Sequence, residues 1–231
     1  MVSIMIKSIK NRLTQLVSAG ALLCFSTLAA ADAPQNLEAK LTAIDSFKAD
    51  FSQVITDEFG TLIDESSGYF ELQRPQLFRW VVKEPFEQEI IADGVNLWQF
   101  DIDIEQINVS SLDQTLANSP AALLSQAQLD VATNYEVAAV KGQQEGVMIY
   151  HLMPRDPDAL YEVLIIEFNG DDLVALQVKD NLGQSTLVDF TNVVMNPEFE
   201  ENHFEFEIPQ GVDVIDSRES TEIHELEAET F

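Results

Sequence analysis

Hydrophobic positions recur along this chain in two periods, and the change between them predicts its elements. Leu37, Leu41 and Ile44 recur at helical spacing behind Pro34, a residue suited to a first helical turn, so residues 34–45 read as a short amphipathic helix. From Phe47 the period drops to two: Phe47, Ala49, Phe51, Gln53 and Ile55 alternate with Lys48, Asp50, Ser52 and Val54, as in a strand with one apolar face. Turn residues 57–60 separate it from a second extended stretch, 61–72, a hairpin signal. Further strands are predicted at 77–82, 87–92, 96–100, 106–109, 135–141, 147–153, 162–168, 174–179, 185–194 and 204–208, many divided by Asp-Gly or Asn-Gly type turns. About ten strands on short turns imply one antiparallel sheet curled on itself.

One stretch departs from the strand rule. Residues 111–130 are rich in Ala, Leu and Gln, with Pro120 after Ser119 as a helix start, and predict two short helices. A helical insert between strands covers a face or mouth of the sheet, as a plug or as a lid.

Residues 1–31 follow a different logic. Lys7, Lys10 and Arg12 precede an apolar run from Leu13 to Leu28 and then Ala29, Ala30 and Ala31, the layout of a cleavable secretory signal. The run is too short and wrongly flanked for a stable membrane span. Cleavage after Ala31 leaves 200 residues, 32–216 as one domain and 217–231 as an acidic tail. The single Cys24 leaves with the signal, and Leu23 before it does not suit a lipidated cysteine, so the exported chain has no disulfide and rests on packing alone.

Charge then excludes partners. The 231 residues carry 12 Lys and Arg against 40 Asp and Glu, a formal charge of −28, and removal of the three basic residues of the signal takes it to −31. Nucleic acid and anionic headgroups are bound through clustered cations, and no such cluster is visible.

Chemistry-bearing motifs are sparse. There is no phosphate-binding glycine loop and no cysteine nucleophile after the signal, and His151, His203 and His224 stand far apart outside any motif. The run Asp101-Ile102-Asp103-Ile104-Glu105 would set three carboxylates on one side of a strand, but lacks the glycine and glutamate spacing of a calcium loop and reads instead as a polar strand edge. No metal, cofactor or catalytic group is assigned. Phe78 and Trp80 share one strand face, and Trp98 and Phe100 share another; core packing is the simplest reading of such pairs.

These aromatics sit in a frame of separate motifs. Arg74-Pro75-Gln76-Leu77-Phe78-Arg79-Trp80, Ile90-Ile91-Ala92-Asp93-Gly94, Leu97-Trp98-Gln99-Phe100-Asp101 and Glu105-Gln106 come in order, followed by Ser119-Pro120 with Leu123-Leu124, Asn181-Leu182-Gly183-Gln184-Ser185-Thr186, and Phe204-Glu205-Phe206 with Pro209-Gln210-Gly211-Val212-Asp213-Val214. Over residues 32–216 the chain resembles the periplasmic outer-membrane lipoprotein carriers of Gram-negative bacteria, the LolA family. Ile102 stands where the family often has Pro.

The resemblance implies a mainly β fold, an incomplete, strongly curved antiparallel half barrel under a helical lid. It implies a non-enzymatic periplasmic chaperone, working as a monomer, that takes triacylated lipoproteins from an inner-membrane ATP-driven transporter and hands them to an outer-membrane receptor. Exposing acyl chains to water costs roughly 0.8 kcal/mol per CH2, so three chains could not cross unaided. Arg74 corresponds to the family's lid-bonding arginine, while Phe78, Trp80, Ile90 and Trp98 are expected in or beside the acyl cavity and Leu123 and Leu124 on the lid. A ligand that must be released again calls for a moderately exposed, adaptable cavity. A lipid-sensing regulator on the same curled sheet is the alternative. An outer-membrane barrel ending at Phe231 is disfavoured, because residues 225–230 do not alternate. The acidity fits either steering toward a basic receptor or adaptation to salt.

Overall fold

The computed structural model describes residues 32–112, 124–125 and 130–218; the signal segment, most of 111–130 and the residues after 218 lie outside it. Eleven strands follow the two-residue periods closely: β1 (Ser46–Thr56), β2 (Leu62–Gln73), β3 (Leu77–Glu84), β4 (Gln88–Asp93), β5 (Asn96–Asp101), β6 (Gln106–Ser111), β7 (Tyr135–Lys141), β8 (Val147–Pro154), β9 (Tyr161–Asn169), β10 (Asp172–Asp180) and β11 (Ser185–Met195). Helix α1 (Ala33–Thr42) precedes them and a one-turn helix α2 (Val131–Asn134) leads into β7.

One predicted strand is absent from the sheet. Residues 204–208 form no strand; the chain from 197 runs irregularly across the sheet, and the twelfth strand, β12 (Asp213–Asp216), follows it. The alternation of Phe204 and Phe206 reflects burial against a neighbouring face without a paired backbone, which a two-residue period does not distinguish from a strand.

The sheet order is β12-β6-β5-β4-β3-β2-β1-β11-β10-β9-β8-β7, antiparallel except for the parallel β12–β6 pair. Among the described residues no pairing joins β7 to β12, so the sheet curls without closing. A register shift in β1 between Lys48 and Asp50 and another in β2 between Ser67 and Gly68 add local bends, the effect expected of bulges.

Register assigns each side chain to a face. Phe47, Leu72, Phe78, Ala92 and Leu97 lie opposite one another across five strands, as do Ala49, Phe70, Trp80, Ile90 and Gln99. These rows form the concave face, continued through Phe190, Leu176, Ile166 and Tyr150 on the far strands, and its apolar members make one core. Helix α1 closes one end of it, placing Leu37 and Leu41 in that core from positions one turn apart. Lys40, in the last turn of α1, donates to the Gly170 carbonyl at 2.6 Å and pairs with Asp171 at 2.8 Å, tying the helix to the β9–β10 turn.

The convex face has a core of its own. Val81, Ile91, Ile107 and Val109 alternate with the concave residues yet are also buried, and the 197–218 segment crosses over them. Phe204 is buried there and Phe206 stacks on Trp98 with ring centres 5.3 Å apart.

Candidate functional site

The concave face is a continuous aromatic and aliphatic surface with few polar groups. Phe47 meets Phe190 edge-on at 5.2 Å, Phe70 lies 5.3 Å from Trp80, and Phe51 stacks on Trp80 at 4.0 Å. Polarity begins toward its margins, where Gln53 donates to the Ser66 hydroxyl at 3.2 Å and the Tyr135 and Tyr161 hydroxyls share a hydrogen bond of 2.8 Å. Burial, with that hydrogen bond, pushes the Tyr161 phenol above its ordinary value, so this margin is polar and uncharged.

Of the residues predicted from sequence, Phe78, Trp80 and Ile90 are brought together on this face. Phe78 is 2% and Trp80 8% exposed, and Ile90 packs against them from the more open side. Among the described residues, Leu37 and Leu41 of α1, with Leu112 and Leu124, pack on this face. Leu124 is buried in the same core. Leu123 lies outside the described residues.

Trp98 is corrected. It lies opposite Ile91 and Val109, whereas Trp80 lies opposite Ile90, so the two indoles project from opposite faces of the sheet. Trp98 packs on Phe206, its Nε1–H donates to Asp93 at 2.7 Å, and the Arg218 guanidinium lies 5.8 Å from its ring centre. Sequence spacing showed that Trp98 and Phe100 share a face, but parity alone does not say which face.

Arg74 sits at the β2–β3 turn and joins three elements. Its Nε donates to the Leu124 carbonyl at 3.0 Å and its Nη1 to the Leu41 carbonyl at 2.7 Å, while the Gln76 amide donates to the Ser125 carbonyl at 2.9 Å. The end of α1 and residues 124–125 are thus held to one hairpin turn. Burial lowers the guanidinium pKa from its ordinary value, partly offset by Asp45. Arginine has donors in a fixed fork and remains charged under these conditions, which suits it to bridging carbonyls on two elements.

Sequence reasoning missed a polar cluster on the convex face. Glu71, buried, bonds Lys48 and His203 at 2.7 Å each, and Arg79 Nη2 donates to the His203 carbonyl at 3.1 Å. Burial alone would raise the Glu71 carboxyl pKa, but the Lys48 and His203 contacts outweigh it and hold it below the ordinary range. The cluster pins the 197–218 segment to β2 and β3. Its only sequence signal was an outward-facing Glu71 between Phe70 and Leu72.

The Asp101–Glu105 run is a turn, with only Asp101 in β5 and Glu105 at φ 51°, so it is not a strand edge. Among the described residues no three His, Cys, Asp or Glu side chains converge as metal ligands, and no helix is long and apolar enough to cross a membrane.

An unclosed, curled sheet whose apolar inner face is packed by α1 and Leu124 defines a half-barrel fold. Residues 42–207 match the family model described as outer membrane lipoprotein carrier protein LolA. The outer-membrane lipoprotein carrier protein of Hahella chejuensis is 37% identical over 204 residues, covering 88% of this chain and 98% of the relative. That of Chromohalobacter salexigens is 36% identical over 181 residues, covering 78% and 85%. A solved structure of an uncharacterized conserved protein from Thermus thermophilus matches with a TM-score of 0.50 at 12% identity, over 80% of this chain and 98% of that one, a likeness of fold alone. This chain belongs to the LolA family.

Proposed function

We propose that the protein is a periplasmic carrier that binds the acyl chains of lipoproteins and delivers them to the outer membrane without catalysing a reaction. The observation that carries this reading is the apolar concave face packed by Leu37 and Leu41 of α1 and by Leu124, with Arg74 bonded to the carbonyls of both Leu41 and Leu124. Acyl chains bring no hydrogen-bonding groups of their own, so a face of Phe, Leu, Ile and Trp side chains accommodates them without leaving polar atoms unpaired. Opening replaces the packing of Leu37, Leu41 and Leu124 by ligand, so the apolar core serves as its own stand-in cargo between deliveries.

In this reading an inner-membrane ATP-driven transporter loads triacylated lipoprotein and an outer-membrane receptor unloads it. Phe78, Trp80 and Ile90 contact the chains, Arg74 latches the cover, and Leu124, with Leu123, belongs to the cover itself. The test incubates the mature protein with inner-membrane vesicles bearing a labelled triacylated lipoprotein. A soluble one-to-one complex after ATP addition is expected; release no greater than without protein overturns the reading.

A further inference from the structure

The two ends of the sheet differ in a way that the concave face does not explain. Five turns lie at the end of the sheet opposite the β2–β3 turn: those joining β1 to β2, β3 to β4, β5 to β6, β8 to β9 and β10 to β11. Each exposes one large apolar side chain, Phe59, Phe86, Ile104, Leu160 and Leu182, and these are 60–86% exposed. At the opposite end the turns carry residues such as Gln76, Gly94, Gln144 and Gly170, and among the described residues only Val95 is a comparably exposed apolar group there. Scattered exposed apolar residues are ordinary, but one on every turn of a single rim is a pattern.

The tips are held outward. Asp57 accepts from the Phe59 amide at 2.9 Å and the Thr61 amide at 2.8 Å; Asp180 accepts from the Leu182 and Gln184 amides, each at 2.9 Å. Two separate turns therefore present their apolar residue by the same carboxylate brace. The turns also lean on one another: Asn181 donates to the Ala159 carbonyl at 2.7 Å, and a side chain at Gly183 would come within 2.8 Å of Glu58 Cβ. Phe59, Leu160 and Leu182 thus sit on three mutually braced turns, and little ordering remains to be done when they are covered.

Charge selects the occupant. The tips stand among Asp57, Glu58, Glu87, Asp103, Glu105, Asp158 and Asp180, on a chain of formal charge −28. Anionic lipid is repelled by such a rim, and so is a second copy of the chain. From this, and resting on the carrier reading above, we infer that the turn rim carrying Phe59, Phe86, Ile104, Leu160 and Leu182 is a docking surface for a basic protein surface with apolar pockets, that of a transport partner. The acids accelerate encounter and the apolar tips set the lifetime of the complex.

The test compares the mature protein with a variant carrying Phe59→Ser, Phe86→Ser, Ile104→Ser, Leu160→Ser and Leu182→Ser, and with Val95→Ser as the opposite-end control. A third variant carries Glu58→Gln, Glu87→Gln, Asp103→Asn and Asp158→Asn. Thermal melting checks folding, and displacement of an apolar dye by acyl chains checks the concave face. Binding is measured to the purified detergent-solubilised transporter and to the soluble receptor, at low and high salt. For at least one partner, the five-tip variant is expected to lose affinity at least about tenfold through faster dissociation, and the charge variant to lose association rate and salt dependence, with Val95→Ser unchanged. A folded five-tip variant that binds both partners like the parent overturns the inference. So does tip-dependent flotation with neutral phosphatidylcholine vesicles, which would make the rim a lipid contact. If the parent itself takes no cargo and binds neither partner, the carrier reading fails first; tips that do not matter in a competent parent remove only the rim.

Discussion

Phe51 on β1 and Trp80 on β3 stack at 4.0 Å although a whole strand lies between them. The residue beneath the stack is Gly68 of β2, paired with Phe51 on one side and Val82 on the other. Adjacent strands run about 4.8 Å apart, so rings two strands apart meet only by leaning across the one between, and a side chain there would hold them apart. A Cβ at Gly68 would also stand 1.7 Å from the Val81 carbonyl oxygen. One glycine therefore fixes both the bend of β2 and the aromatic floor.

Gly68→Ala should destabilise the fold by about 3 kcal/mol, since backbone rather than a flexible side chain must give way. Urea unfolding followed by tryptophan fluorescence checks this. A native emission spectrum and midpoint in the variant would show that the bend tolerates a side chain.

Arg74→Leu removes two charged donors from the closed state and leaves the Leu41 and Leu124 carbonyls without those partners. The closed form should lose about 1–3 kcal/mol relative to the open one. Because apparent affinity scales with the fraction of open protein, the variant should accept lipoprotein readily and release it poorly. Transfer to the receptor, measured beside uptake, checks the split; normal delivery removes the latch role.

Ile90→Glu and Trp98→Ala separate the two faces. Ile90 borders the buried aromatics, so a carboxylate there should weaken apolar dye binding several-fold. Trp98→Ala should leave dye binding intact, cost about 2 kcal/mol of stability and speed proteolysis within 197–218, because its contacts are Phe206, Asp93 and Arg218. Loss of dye binding in Trp98→Ala would return that residue to the cargo surface.

Attachment of the 197–218 segment should depend on acid. The Glu71 carboxyl titrates lower in the folded chain than in the unfolded one, so its stabilising contribution is full above the ordinary glutamate range and falls away as pH drops through the depressed folded value. Glu71→Gln should flatten that part of the stability profile. Chemical unfolding midpoints measured from pH 6 downward check it; parallel profiles for parent and variant would exclude Glu71 as the source.

Periodicity carried most of the architecture. Alternation from Phe47 to Ile55 predicted a strand with the right inward face, and Leu37, Leu41 and Ile44 predicted a helix against it, because burial on one side leaves a local imprint. Three things left no such imprint. Trp98 alternates as cleanly as Trp80, yet faces outward, since the facing depends on a partner strand's register. Phe206 alternates with Phe204 like a strand residue, because an unpaired segment pressed on a sheet buries alternate side chains too. The Glu71–His203 contact joins residues 132 apart in sequence, and only the crossing of the last segment makes it visible. Arg74 was singled out by the family resemblance, but its two acceptors are main-chain carbonyls, which no side-chain pattern encodes.

Among the described residues no bond joins β7 to β12, and that opening has a mechanical consequence. A closed barrel has its girth fixed by strand number and stagger, so its interior comes in one size. A sheet with two free margins can flatten or tighten by small twists shared over many strand pairs, without breaking a ladder. The space within such a sheet is therefore adjustable, where that of a closed barrel is fixed.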